Sequence, residues 1–149
     1  MADSLEETLR SLTAVSQTLN KSSDLLNESI TEVENALKKF NLGIEARVGI
    51  YSQLLDDRTG VSHVIELKYG RHQGKWGLLA VDYIDEDPDS TWDERFLREA
   101  PREVRLAAIG KLPDLIRVLI QESEKSAREA MAKAEAAREI AAGLSRKPR

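Results

Sequence analysis

An uninterrupted heptad pattern at the N-terminal end constrains this chain more than any other feature. Residues 4–40 contain neither Gly nor Pro, and a large apolar residue recurs at every seventh position: Leu5, Leu12, Leu19, Leu26, Val33 and Phe40. Such a repeat predicts a long amphipathic helix, because seven residues are close to two helical turns. Ser4 and Glu7 have the spacing of a capping box, and Gly43 supplies a stop. The helix should be about 55 Å long, which is more than a small sheet can cover.

A second row on the same helix is weaker. Four residues after those positions come Leu9, Ser16, Ser23, Ile30 and Leu37. Serine in the middle of this row allows another helix to approach closely but buries little apolar area. We therefore expect this helix to pair with another one.

Residues 44–85 alternate apolar and polar side chains with the period of β-strands. Residues 57–60 and 72–74 have turn composition, and the second turn is predicted to be type I with a Gly bulge. Pairing Arg71 with Lys75 then places Leu67 opposite Leu79 on one face. The sequence predicts a three-stranded antiparallel meander, whose other face mixes charged and apolar groups. Later segments of the chain could cover that face, or a partner or ligand could.

The connection after this meander is acidic. Residues 85–90 form a predicted acidic loop that contains Pro88. The residues that follow could form a short helix through Trp92, Phe96 and Leu97, and a fourth strand over 91–99 is the open alternative.

The last third of the chain is predicted to be helical. Pro101 suits a first helical position, and Gly110 with Pro113 is expected to break or kink the segment into two helices. Beyond them lies a seam with helical spacing: Ala127, Ala130, Ala134, Ala137, Ala141 and Leu144. A seam of alanines favours close helix packing but contributes little hydrophobic stabilisation.

These elements predict an α+β fold in one folded unit. Its parts are a heptad helix over 1–43, a β-meander with an acidic loop over 44–100, and a helical segment with a basic tail over 101–149. The two long helices are expected to leave the sheet from the same end as an antiparallel stalk, and to pair with a second copy as a dimeric four-helix bundle. In layout alone, this plan resembles that of prefoldin-type chaperones.

Composition restricts the chemistry of the chain. The 149 residues include no Cys, which excludes disulfides, thiolate metal sites and cysteine nucleophiles. His63 and His72 lie on opposite strand faces, and no nucleophile–base–orienter set can be assembled. We therefore predict a protein that is not an enzyme and has no cofactor and no metal site. With no apolar run of about 18 residues, we also expect no membrane span and a cytoplasmic location.

Two groups of residues are candidate interaction sites. Lys68, Arg71, Lys75 and Trp76 combine cations with an aromatic ring, as proteins that bind single-stranded nucleic acid do. Asp85, Asp87 and Asp89 form the core of the acidic loop. The net charge is −4 and seven carboxylates lie between residues 82 and 94, so the composition argues against nucleic acid as a partner.

The leading functional hypothesis is a non-enzymatic homo-oligomer that contacts other proteins as an adaptor or chaperone-like module. A nucleic-acid-associated protein that uses hairpin 68–76 is the first alternative. A small enzyme or ligand-binding fold is the second.

Overall fold

A computed structural model describes residues 2–85 and 92–146, with side chains from residue 4 onward. Two long helices flank an antiparallel sheet. The elements, in chain order, are α1 (Ala2–Lys39), β1 (Ala46–Leu54), β2 (Ser62–His72), β3 (Lys75–Asp85), β4 (Asp93–Phe96), a 3₁₀ turn (Leu97–Glu99) and α2 (Arg102–Ser145). The strands follow one another in the order β1-β2-β3-β4. The α+β class and the long N-terminal helix are confirmed.

One face of the sheet packs against both helices and forms the hydrophobic core. Its buried members are Ile30 and Leu37 from α1, Ala46, Leu67, Tyr69, Leu78 and Ala80 from the sheet, Leu97 and Ala100 from the connection, and Ala108, Leu115 and Leu119 from α2. On the second face, Leu79 and Val81 are fully buried outside this core. Long side chains of the neighbouring strands flank them, since Lys68 and Phe96 pair with Leu79.

The predicted register between β2 and β3 is wrong by one residue. His72 pairs with Lys75 and Leu67 with Ala80, around a two-residue turn at Gln73 and Gly74. Both turn residues have positive φ, 53° and 79°, which is the type I′ geometry that matches strand twist. A shift of one residue exchanges the faces of a strand. Leu78 and Ala80 therefore belong to the core face, not to the mixed face expected for them.

The segment after the acidic loop is mainly a strand, so the fourth-strand alternative is confirmed over the short helix, and the sheet has four strands in place of three. Asp93–Phe96 pairs with residues 79–82 of β3, and only Leu97–Glu99 is helical, as one 3₁₀ turn. The free edge of β3 explains this result, because its backbone groups need partners that a local helix could not supply.

The C-terminal segment is one helix, not two. Gly110 and Pro113 both lie inside α2, which runs through them for 44 residues. Both are exposed, while Ala108 and Leu115 on either side are buried. Packing of this apolar face on the sheet offsets the hydrogen bond that Pro113 cannot donate.

The two helices run in the same sense, which overturns the predicted antiparallel stalk. At the start of α2, Arg102 and Arg105 donate hydrogen bonds to Ser22 and Asn27 of α1, at 3.5 and 2.7 Å. At the other end of the sheet, Lys38 of α1 lies beside Tyr69, and Tyr69 pairs with Ala46. Val118 and Glu122 of α2 lie beside that same Ala46. Three full-length antiparallel strands, β1 to β3, lie between the helices in the chain. Each strand takes the chain to the opposite end of the sheet, so after three of them α2 begins at the end where α1 first meets the sheet.

Candidate interaction surfaces

The first half of α1 carries an apolar stripe that has no cover in the described chain. Every residue from Ser4 to Lys21 is exposed, and we name this segment the α1 extension. Its stripe contains four leucines that are 46–63% exposed: Leu5, Leu9, Leu12 and Leu19. The same stripe continues along α1 through Ile30 and Leu37, which are buried against the sheet. The sheet therefore covers only the second half of one continuous heptad pattern.

The second half of α2 also projects past the sheet. Residues 120–146, which we name the α2 extension, are exposed except for half-buried Ser123. The alanine seam lies here, together with four large apolar side chains that are exposed: Ile120, Met131, Ile140 and Leu144. The expected packing of this seam on α1 of the same chain is wrong, because the two extensions leave opposite ends of the sheet.

The four predicted hairpin residues do not form one site. Lys68 is buried on the second face of the sheet. Trp76 lies on the core face, where its ring centroid is 5.5 Å from that of Tyr69. Arg71 and Lys75 are exposed near the hairpin tip. The one-residue error in register is the reason, since it moves Trp76 to the opposite face from Lys68.

Lys68 is held by acidic neighbours. Its Nζ lies 3.2 Å from Glu94 Oε2 and 3.7 Å from Glu45 Oε2. The other oxygen of Glu94 lies 3.2 Å from His72 Nδ1. Two carboxylates therefore neutralise this ammonium group, and a phosphate would have to displace them.

A different set of residues meets at the hairpin tip. The last turn of α1 contributes Lys38, and the connection after it contributes Asn41 and Leu42, to an open pocket of about 370 Å³. The other side of this pocket is formed by Lys75 and Trp76. Sequence analysis missed this combination because more than 30 positions separate the two segments. The closest available signal was the pair of lysines in the last turn of α1, which also suits the negative end of the helix dipole.

Of the three predicted acidic-loop residues, only Asp85 is described, and it lies far from the hairpin tip. Asp85 is exposed at the end of β3, ten residues from Lys75, which is about 33 Å along a strand. Asp87 and Asp89 lie outside the described residues. Within residues 2–85 and 92–146, no cluster of three or more His, Asp or Glu side chains is arranged to hold a metal ion.

An aromatic pair lies at the other end of the second face. The rings of Tyr83 and Trp92 stack with centroids 4.8 Å apart, and the guanidinium of Arg47 lies 5.8 Å from the Trp92 ring. A side-chain hydrogen bond to Glu66, with further contributions from burial and the charge of Glu66, raises the pKa of Tyr83 to about 12. Trp92 is half exposed, so this group could contact another protein.

Glu34 is a buried polar residue that sequence analysis did not identify. Its Oε1 accepts a hydrogen bond from the Leu78 N–H at 3.0 Å, and its Oε2 lies 3.8 Å from Arg98 Nε. The heptad pattern gave no signal for it, because Glu34 directly follows Val33 in the sequence and a charged residue there suits a solvent-facing position.

Comparisons with protein-family models, with curated proteins and with solved structures find no match to this chain. Neither α1 nor α2, over the residues described, contains a stretch that is long and apolar enough to cross a membrane.

Proposed function

We propose that this chain is a non-enzymatic protein that self-associates through its helical extensions and acts as an interaction module, in the manner of an adaptor or chaperone. The observation that carries the proposal is the exposed row Leu5, Leu9, Leu12 and Leu19 on the α1 extension. An exposed apolar stripe of this kind, continuous with a buried one, is typical of an interface.

Energetics support a partner for this row. Full burial of one leucine side chain stabilises a protein by about 1.5–3 kcal/mol relative to leaving it exposed. A helical segment with no tertiary contacts is only marginally stable in water, because each added residue gains little and most helical stability in proteins comes from packing of an apolar face. Association of two copies would supply the missing packing for both, as in coiled coils and helix bundles.

The alternatives are less well supported. The nucleic-acid hypothesis counted Lys68 among three cations that contact phosphate, whereas Glu94 and Glu45 hold it. The enzyme or ligand-binding hypothesis placed a site on the mixed sheet face, which instead carries ion pairs and the stacked Tyr83–Trp92 rings. Trp92 and Arg47 are a surface on which an adaptor could bind a second protein.

Light scattering coupled to size exclusion tests the proposal. At tens of micromolar the wild type should elute with a mass at least twice 16.7 kDa. Leu12→Glu should lower the mass to that of the monomer, since it places charge in the apolar row. Ala14→Glu is the matched control, because it adds the same charge two residues away, about 200° around the helix. A wild-type mass of 16.7 kDa would refute self-association.

A further inference from the structure

We infer that the α1 extension of one copy packs antiparallel against the α2 extension of a second copy, and that this contact occurs twice in a closed dimer. The inference deepens the proposed self-association and rests on it. It assigns the partner of the exposed leucine row: residues 120–146 of another molecule of this chain.

Geometry excludes the same pairing within one molecule. The contacts of Arg102 and Arg105 with Ser22 and Asn27 place the start of α2 beside the point where the α1 extension leaves the sheet. The α2 extension leaves the other end, beside Ala46. Two segments that diverge from opposite ends of a sheet cannot meet, so each needs a segment from outside.

Symmetry selects between the possible pairings of two copies. Pairing of α1 with α1 would cover one end of each molecule and leave the α2 extension bare. If the α2 extensions also paired with each other, the contacts would continue from molecule to molecule as an open chain. If the two copies lie antiparallel, the α1 extension of each copy can pack against the α2 extension of the other. This arrangement covers all four extensions and gives a closed dimer with two-fold symmetry.

The two surfaces complement each other in size. The leucine row of the α1 extension presents large side chains, and the seam of the α2 extension presents alanines at Ala127, Ala134 and Ala141. Large residues facing small ones fill the space between two helices without voids. The α2 extension is also long enough to cover the whole leucine row, since 18 residues of α1 span about 27 Å and the 26 residues from Ile120 to Ser145 span about 39 Å.

Charge favours the antiparallel direction. In that arrangement the outer ends of the two extensions lie together, and so do the inner ends. Glu6 and Glu7 are at the outer end of the α1 extension, and Arg146 ends the α2 extension. At the inner ends the signs reverse, with Lys21 on α1 and Glu122 on α2. Opposite charges across a helix pair select its orientation.

Disulfide trapping tests the arrangement directly, because the full chain contains no Cys. An untagged chain that carries Leu12→Cys is mixed with a tagged chain of larger mass. The tagged chain carries one of three substitutions: Ala127→Cys, Ala134→Cys or Ala141→Cys. These three positions are one heptad apart, so they scan the register for Cα atoms within about 4.4–6.8 Å. After subunit exchange and mild oxidation, we expect a mixed disulfide with at least one of the three. The matched controls, Ala14→Cys and Ala132→Cys, lie on the far sides of the same helices and should form at least tenfold less.

The outcomes separate the inference from the proposed function. A dimeric mass with mixed disulfides confirms both. A dimeric mass with disulfides only between two Leu12→Cys chains, or with equal trapping in the controls, overturns the inference and retains self-association. A mass that keeps rising with concentration identifies an open chain and also overturns the closed dimer. A monomeric mass of 16.7 kDa overturns both. Circular dichroism of each variant verifies the helices, since every substituted side chain is exposed.

Discussion

Glu34 lies where β4 stops pairing with β3. The described pairing of β4 ends at Leu79, so the N–H of Leu78 at the edge of the sheet has no strand opposite it. Glu34 Oε1 accepts that N–H at 3.0 Å, although the residue is only 2% exposed. A charge-assisted hydrogen bond from a helix thus ends the sheet where a fifth pairing residue would otherwise be needed.

Removal of this acceptor should destabilise the fold. Glu34→Ala leaves a buried backbone donor unsatisfied, at a cost of about 1–3 kcal/mol in the free energy of unfolding. Glu34→Gln should cost less, because its amide oxygen still accepts. Urea denaturation measures both. The exposed Glu32→Ala is the control, expected within about 0.5 kcal/mol of wild type. Equal losses for Ala and Gln would show that the ion pair with Arg98 matters more than the hydrogen bond.

Tyr83 should titrate later than an ordinary tyrosine. Its pKa is raised from 10.0 to about 12, first by the hydrogen bond to Glu66 and then by burial. The folded state thus favours the neutral phenol, so its contribution to stability is complete below pH 10 and is lost as the pH rises through 12. The ultraviolet absorbance of tyrosinate measures the titration of all three tyrosines. The part of the absorbance change that is lost in Tyr83→Phe belongs to Tyr83. Glu66→Gln should lower the pKa of Tyr83, and an unchanged midpoint would exclude Glu66 as the cause.

Among the elements, the β2–β3 hairpin depends on its turn. Alternation identified both strands, yet the face that each residue occupies depended on whether the loop has two or three residues. Gln73 at φ 53° closes the tighter loop, although asparagine or glycine is commoner at that position. This local choice placed Trp76 against Tyr69 and Lys68 on the opposite face.

Two Gly→Ala substitutions should change stability in opposite directions. An added Cβ meets nothing within 4 Å at Gly74 or at Gly110, so steric clash is absent at both. Gly74 has φ +79°, where a residue with a side chain costs about 1–2 kcal/mol, so Gly74→Ala should destabilise. Gly110 lies inside α2, so Gly110→Ala should stabilise by about 0.5–1 kcal/mol. Thermal denaturation compares the melting temperatures of the two variants with that of the wild type. A shift of the same sign in both variants would contradict the turn geometry.

At the scale of the whole molecule, the helices are longer than the surface that they cover. The 38 residues of α1 span about 57 Å and the 44 residues of α2 about 66 Å, whereas an 11-residue strand spans about 36 Å. Both helices cross the sheet in the same sense, so the excess lengths leave from opposite ends. That placement is why association between copies, not within one, is proposed for them.

Nucleic acid should bind only weakly to the whole molecule. The exposed cations at the hairpin tip include Arg71 and Lys75, but the net charge is −4 and Lys68 is neutralised by Glu94. At about 150 mM salt, we expect dissociation constants no tighter than the non-specific range of about 10⁻⁴–10⁻⁶ M. Fluorescence anisotropy with labelled single- and double-stranded oligonucleotides measures them. Submicromolar binding that is lost in Arg71→Glu with Lys75→Glu would favour the nucleic-acid alternative instead.

Local periodicity and residue chemistry were enough to predict several parts of the fold. The heptad of Leu5 to Phe40 located α1, alternation located β1 to β3, and the alanine seam marked the end of α2 as helical. These signals are strong because each repeats many times along a continuous segment. The apolar row of the α1 extension, which is the main part of the candidate interface, was visible in the same way.

Other features depend on contacts between segments that are far apart in the sequence, so they became visible only in the folded chain. The sequence around Trp92 and Phe96 suits a helix or a strand, and the free edge of β3 selected the strand. Pro113 suits a helix start, and packing of Ala108 and Leu115 on the sheet kept it inside α2. Lys68 forms an ion pair with Glu94 because Glu94 lies on β4, and the sequence alone did not decide that this segment is a strand. The direction of α2 relative to α1 followed from counting full-length strands, since each antiparallel reversal changes the end of the sheet at which the next element begins.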